Sequence, residues 1–436
     1  MKSWSAGALA LAIASGAVVF GGPATPVQAR ERGAGAYDSG AVADFYRARG
    51  GRPLWLSPSS GTAGRDLVQL LATAQADNLN PNRYRVGNIA KALNAASSGN
   101  PAAVQRAEAM LSQAFVAYVR DTRRDPNVGI IYVDSELKPQ PPSPRSALEA
   151  AASAPSLTDY VDQMRWMNPI YTQLRQAIAS RMYLTEQQRR LLAVNLERAR
   201  ALPAGGHRYV IINPAAQRLY MYENGVVVDQ MRVVAGRPDP IAQTPMMSAY
   251  IRYAALNPYW NSPADITAKR LAPTILKEGR AYFKNRGYEL LSDWSDHPRI
   301  INPMSIDWRA VAAGRVQARL RQKPGPANSM GKMKFMFPNP QGIWLHDTPE
   351  KEKIDEAARL ASNGCVRLAD AARFGQWLFG YRLRPQGARP EQKVPLPKPI
   401  PLYITYLTAV PSGTSITYLD DMYGRDSMQA SRRRNV

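Results

Sequence analysis

Two hydrophobic periods divide the chain. From residue 30 to about 200, apolar positions recur at helical spacing. Leu67, Leu70, Leu71 and Ala74 share one helix face, and Ala107, Met110, Leu111, Ala114, Phe115 and Tyr118 share another. Leu192 and Leu196 mark a further helical segment. Pro139, Pro141, Pro142 and Pro144 break this pattern and predict a loop, with the Ala-rich run 147–154 beginning the next helix. From His207 the character changes. Arg208–Asn213, Arg218–Glu223 and Val226–Val234 read as strands, and Asn224-Gly225 between the last two is a strong hairpin signal. Ile343-Trp344-Leu345 reads as a strand ending at His346. Ala369 to Phe379 reads as a helix, and Pro401 to Leu407 and Ile416 to Leu419 as two final strands. Residues 251–330 are irregular, with many Pro, Asn and Trp and helical pieces such as Trp308 to Leu320; they read as a long insertion or flap. The expected fold class is therefore α+β and multidomain. A mainly helical domain (30–200) precedes a β-rich domain (201–385) carrying the insertion 251–330. Residues 386–436 supply strands and a basic tail that pack on one domain or the other. No internal repeat is present.

The N-terminus changes the picture of where these domains work. Lys2 is followed by Ala6 to Phe20, apolar or small throughout, and Val27-Gln28-Ala29 fits the small-x-small cleavage rule. Residues 1–29 are thus expected to be a signal peptide cut after Ala29. Gly16, Gly21, Gly22 and Pro23 interrupt the stretch before it reaches the ~20 apolar residues of a span. An exported protein is expected. With 45% hydrophobic residues the chain can bury real cores, and its formal charge of +22 favours a polyanionic partner. No nucleic-acid motif with the required aromatic and basic spacing is present, so no nucleic-acid partner is expected. Export favours an anionic wall polymer or a membrane surface. Arg432-Arg433-Arg434 reads as a solvated tail.

The chain has a single cysteine, Cys365, within Ser362-Asn363-Gly364-Cys365-Val366-Arg367-Leu368. It cannot form an intramolecular disulfide, so it is an inert buried thiol, an intermolecular bridge or a nucleophile. Gly364 permits close backbone approach to a substrate. Arg367 can hold a carboxylate, or form an internal ion pair. A thiol is only partly ionised at neutral pH and needs a base. Of His207, His297 and His346, only His346 ends an apolar strand in the same sheet region, and the neighbouring Asp347 can supply a carbonyl to orient it. The amides of Gly364 and Cys365 can form an oxyanion hole at the mouth of the following helix, whose N-terminus would favour thiolate. Ser362 can position His346 or substrate through its hydroxyl, or cap a turn.

Together these residues carry a family resemblance. His346-Asp347-Thr348-Pro349 followed by Ser362-Asn363-Gly364-Cys365-Val366-Arg367 resembles the L,D-transpeptidase (YkuD-type) signature: a histidine, a gap, Ser/Thr-x-Gly-Cys, then Arg or Asn two positions on. Gln243-Thr244-Pro245, Asn257-Pro258-Tyr259-Trp260-Asn261-Ser262-Pro263 and the run Pro324–Phe335 resemble further motifs of the family. Phe45-Tyr46, Pro53-Leu54-Trp55, Asn78-Leu79-Asn80-Pro81 and Tyr84 resemble the helical scaffold of its large subfamily, which also inserts a capping subdomain in the catalytic domain.

The resemblance implies a periplasmic enzyme acting on peptidoglycan stem peptides. Cys365 would attack the third stem residue, D-Ala would leave, and a thioester would be resolved by an acceptor amine as a 3→3 cross-link. His346 would be base and then acid, Asp347 its orienting carbonyl, and Gly364 with Cys365 the oxyanion hole. Arg367, Ser362, Asn363, Trp344 and Asn328 would hold substrate. No metal or organic cofactor is implied, and carbapenems would acylate the thiol. Water as acceptor would make an L,D-carboxypeptidase, and an outer-membrane protein as acceptor would be attached to the wall. A non-catalytic wall-binding scaffold is the reading of another class. Two departures stand out. Asn363 occupies a position where many members have His. The small peptidoglycan-binding helical domain usual in the subfamily has no counterpart, because 171–200 runs almost directly into the catalytic domain.

Overall fold

The structure, a computed structural model, describes residues 39–180, 184–206, 208–295 and 297–427. The expected signal peptide, His207 and the Arg432–Arg434 tail lie outside the described residues. No helix among the described residues is long and apolar enough to cross a membrane.

The helical period yields a helical domain built on the long helix Pro101–Thr122. Asn100 caps it, accepting from the amides of Ala102 and Ala103, and Pro101 starts it where no donor is needed. Its stripe Ala107, Leu111, Phe115 and Tyr118 is fully buried. Glu108 on the same helix is also buried. Its carboxylate accepts from the amides of Leu54, Trp55 and Leu56 and from the Tyr46 hydroxyl. One charge thereby fixes both aromatic motifs singled out in the sequence. Asp77 does the same deeper in, accepting from Tyr118 Oη and Tyr171 Oη at 2.7 Å each and from Arg175 Nε at 2.9 Å. A buried charge is tolerable only when paired and hydrogen-bonded in this way.

The β-rich half is a closed ring. Eight strands follow one another around it: Met247–Leu256, Met333–Met336, Leu345–His346, Val366–Leu368, Val226–Gly236, Arg218–Glu223, Tyr209–Asn213 and Gln392–Ile404. The last pairs back onto the first. The Asn224-Gly225 hairpin is present, with both residues at positive φ (51° and 79°), the requirement of a tight two-residue turn. Alternation sorts the side chains. Val210 and Ile212 face the ring's core, while Tyr209 and Ile211 join the helical domain's core. This strand is therefore buried on both faces, which welds the two domains.

Three boundaries differ from the sequence reading. Residues 251–256 are not insertion but the second half of Met247–Leu256, paired with Met333–Met336 and Gln392–Ile404. The insertion's own elements run from Trp260–Asn261 to Arg319–Gln322, with a four-stranded sheet and a separate core around Tyr282, Trp308 and Leu320. Trp308 to Leu320 is not one helix: Trp308–Ala312 is helical, and Arg319–Gln322 is a strand. Residues 392–404 belong to the catalytic ring, and the hairpin Ala409–Ser412 with Ser415–Tyr418 packs on the helical domain through Ala409, Val410 and Ile416.

Candidate active site

Strands Leu345–His346 and Val366–Leu368 lie parallel, with Leu345 opposite Val366 and His346 opposite Arg367. Leu345, Val366 and Leu368 are fully buried in the ring's core. Side chains alternate along a strand and match across a parallel pair, so Trp344, His346, Cys365 and Arg367 share the other face. Cys365 and His346 stand diagonally on neighbouring strands, ~8 Å apart between Cα atoms from strand spacing and rise. Two side chains can close that gap.

His346 is almost fully buried. Its Nδ1 lies 2.5 Å from the carbonyl oxygen of Asp347. A carbonyl can only accept, so Nδ1 carries the proton and Nε2 keeps a free lone pair. Burial, with help from Arg367 and Lys334, lowers the imidazole pKa to about 4. The ring is neutral at pH 7 and can take a proton. Asp347 is held in turn: its carboxylate accepts from the Lys332 amide at 2.9 Å and from Lys351 Nζ at 2.7 Å. Gly331 makes this approach possible, since a Cβ there would lie 2.5 Å from the Asp347 carboxylate.

Cys365 is half-buried, its Sγ 3.7 Å from the carbonyl of Gly342. Burial pushes the thiol pKa up to about 11, opposed by the Trp344 amide and by Arg367. This corrects the expectation of a helix-favoured thiolate. The chain runs first through the strand Val366–Leu368, and the helix Ala371–Phe379 begins too late for its N-terminus to act on the sulfur.

The turn before the thiol is tied from two sides. Ser362 Oγ donates to the Cys365 carbonyl at 2.6 Å and accepts from the Gly364 amide at 3.2 Å. Ser362 is buried and closes a turn, so its hydroxyl is not directed at His346 or substrate. The Gly364 amide is committed to that turn, which takes it out of the expected oxyanion pair. Gly364 has φ +103°, and a Cβ there would meet Ile343 Cδ1 at 3.0 Å. The position needs glycine for its backbone. On the other side, Thr244 Oγ1 donates to the Gly364 carbonyl at 2.8 Å while accepting from the Gly236 amide at 2.9 Å. Sequence reasoning matched Thr244 to a motif but missed this role.

Arg367 pairs with Glu350 at 2.6 Å, an internal ion pair in place of a bound carboxylate. Glu350 is half exposed, so the pair can open. Asn328 is corrected. It is buried, its Nδ2 donates to the carbonyls of Pro258, Gln322 and Lys323, and its Oδ1 accepts from the Met330 amide. It staples the two ends of the insertion, and both hydrogens of its amide nitrogen are taken up by these carbonyls. Trp344 and Asn363 are both half-buried beside the thiol turn. His297 is exposed on the insertion.

Comparison with known proteins agrees with this geometry. Residues 207–380 match the family model described as the L,D-transpeptidase catalytic domain, YkuD. Residues 40–178 match the scaffold domain model. A Haemophilus influenzae protein named "Putative L,D-transpeptidase" is 25% identical over 279 residues, which is 62% of this chain. The chain spans 55% of that relative's length. The chain therefore carries a YkuD-type L,D-transpeptidase catalytic domain over residues 207–380, preceded by a scaffold domain over residues 40–178.

Proposed function

We propose that this protein is a periplasmic, cysteine-dependent peptidoglycan L,D-transpeptidase that forms 3→3 cross-links through a thioester on Cys365. The observation that carries this reading is the Asp347 carbonyl on Nδ1 of His346, which leaves Nε2 as a base on the face that holds the thiol. The thiol and the imidazole are both neutral at pH 7. Proton transfer then accompanies attack, rather than preceding it as a standing ion pair.

In the first half-reaction, Nε2 takes the thiol proton as Sγ bonds to the carbonyl carbon of the third stem residue. The Cys365 amide stabilises the oxyanion. The C–N bond to D-Ala breaks, and the leaving amine takes the proton from His346. In the second, an amine of another stem attacks the thioester and gives a proton to His346. The C–S bond breaks and the proton returns to the sulfur. Arg367 binds a substrate carboxylate, with Trp344 and Asn363 beside it, and the insertion closes over the donor stem. No step calls for a metal or organic cofactor. The formal charge of +22, or +21 once Lys2 leaves with the signal peptide, supports capture of the anionic wall. A carbapenem would acylate Cys365 by opening its lactam C–N bond.

The test is product analysis by mass spectrometry after mixing the protein with disaccharide-tetrapeptide. Dimers lacking one D-Ala are expected. Tripeptide alone would make the enzyme an L,D-carboxypeptidase. A product only with an added outer-membrane protein would make that protein the acceptor. Neither release of D-Ala nor any acyl transfer would leave a non-catalytic scaffold.

A further inference from the structure

The turn that carries Cys365 is backed by residues outside both family matches. Past the hairpin on the helical domain, the chain turns back and ends its described course at 421–427. Tyr423 is buried. Its hydroxyl donates to the Gly236 carbonyl at 2.5 Å and lies 3.5 Å from the Thr244 amide. Two residues on, Arg425 Nη2 donates to Gln243 Oε1 and to the Thr244 carbonyl, each at 3.0 Å. Its guanidinium stacks over Tyr406 and Tyr423, which lie parallel at 5.1 Å. Thr244 holds the Gly364 carbonyl through its hydroxyl, and the Gly236 amide in turn holds that hydroxyl. Gly236 cannot carry a side chain, because a Cβ would fall 2.0 Å from the Ala242 carbonyl. The loop 236–244 is thus folded tightly on itself, and the C-terminal segment is what braces it from behind.

The same segment is anchored in the helical domain. Asp426 accepts from Arg198 Nη1 at 2.5 Å and from Thr408 Oγ1 at 2.8 Å. Asn195 on the same helix bonds the Thr408 hydroxyl and amide. The C-terminal segment therefore ties helix Glu186–Arg200, through Asp426, to Thr244 and Gly364, through Arg425 and Tyr423.

We infer that Tyr423 and Arg425 are positioning residues for the nucleophile: they set the Gly236–Thr244–Gly364 bridge and hence the seat of Cys365. The inference rests on Cys365 being the nucleophile. A backbone turn fixed by few bonds moves by fractions of an ångström when one is lost, and acyl transfer is sensitive to such displacement. Removing the Tyr423 hydroxyl keeps the aromatic stack but frees the Gly236 carbonyl.

The single cysteine makes the test direct, because iodoacetamide alkylation of the whole protein reads Cys365 alone. Tyr423→Phe is expected to raise the alkylation rate about fivefold and lower the acylation rate about fivefold, with KM unchanged, the scale of one buried hydrogen bond. Tyr84→Phe is the matched control, since it also removes a buried phenol donor, to Asp121 at 3.0 Å, far from the site. It should alkylate at the wild-type rate. Arg425→Lys is the second variant, used if Tyr423→Phe does not fold, with the same expected split. Wild-type alkylation in the folded variant, or an equal change in Tyr84→Phe, overturns the inference. Loss of turnover in the wild type would instead strike the functional reading, and alkylation would still decide this one.

Discussion

The carbonyl oxygen of Asp347 lies 2.5 Å from Nδ1 of His346, and this contact determines which imidazole nitrogen faces the chemistry. The donor is the ring and the acceptor is backbone, so no side-chain substitution at Asp347 removes the carbonyl itself. The Asp347 carboxylate instead sets the loop through Lys332 and Lys351. The imidazole is held by a main-chain partner, buried and neutral.

The neutral thiol makes the first prediction. With its pKa up at about 11, Cys365 holds little thiolate at pH 7. The rate of iodoacetamide alkylation should climb about tenfold per pH unit from 7 toward 10, following thiolate fraction. A plateau already reached near pH 7 would mean a preformed thiolate–imidazolium pair.

His346 gives a stability signature. Its folded pKa, about 4, lies below the ordinary value of 6.5. The unfolded chain therefore takes up a proton as pH falls through 6.5 while the folded chain does not until about 4. This contribution is complete above pH 6.5 and is lost on acidification toward pH 4, by about 3 kcal/mol. Denaturant titrations of wild type and His346→Gln across this window should show the variant losing less stability. Parallel curves would contradict the assignment of a buried neutral ring.

Glu350 competes for Arg367. If a substrate carboxylate must displace Glu350 from its 2.6 Å pair, Glu350→Gln should lower KM about threefold with kcat little changed. Steady-state kinetics decide this. A raised KM would mean that the ion pair positions Arg367 for binding.

Much of this site was legible in the sequence, for local reasons. Asn224-Gly225 set a hairpin because few other pairs tolerate two successive positive φ values, Cys365 stood out as the single cysteine, and His346 as the one histidine ending an apolar run. What was hidden is non-local. Asn328 looked like a polar site residue, but its four bonds reach Pro258 across the whole insertion. Ser362 could cap or bind, and only the fold directs its hydroxyl to Cys365. Gln392–Ile404 carries prolines at 395, 397, 399 and 401, which hid most of a strand. The prolines are tolerated because pairing with Tyr209–Asn213 begins only at Leu402, past the last of them.

Asn328→Ala tests its structural role. Three carbonyls and one amide lose their partner at the root of the insertion, a loss of about 2–3 kcal/mol. Hydrogen exchange should rise across residues 258–330 and stay unchanged in the helical domain. Uniform exchange with reduced substrate affinity would return Asn328 to the binding site.

The central claim is a thioester on Cys365, and intact-protein mass spectrometry after mixing with disaccharide-tetrapeptide tests it most directly. An adduct equal to the donor minus D-Ala is predicted on the wild type, labile to hydroxylamine and absent from Cys365→Ala. An adduct that survives in Cys365→Ala, or cross-linked product formed by that variant, would contradict the account.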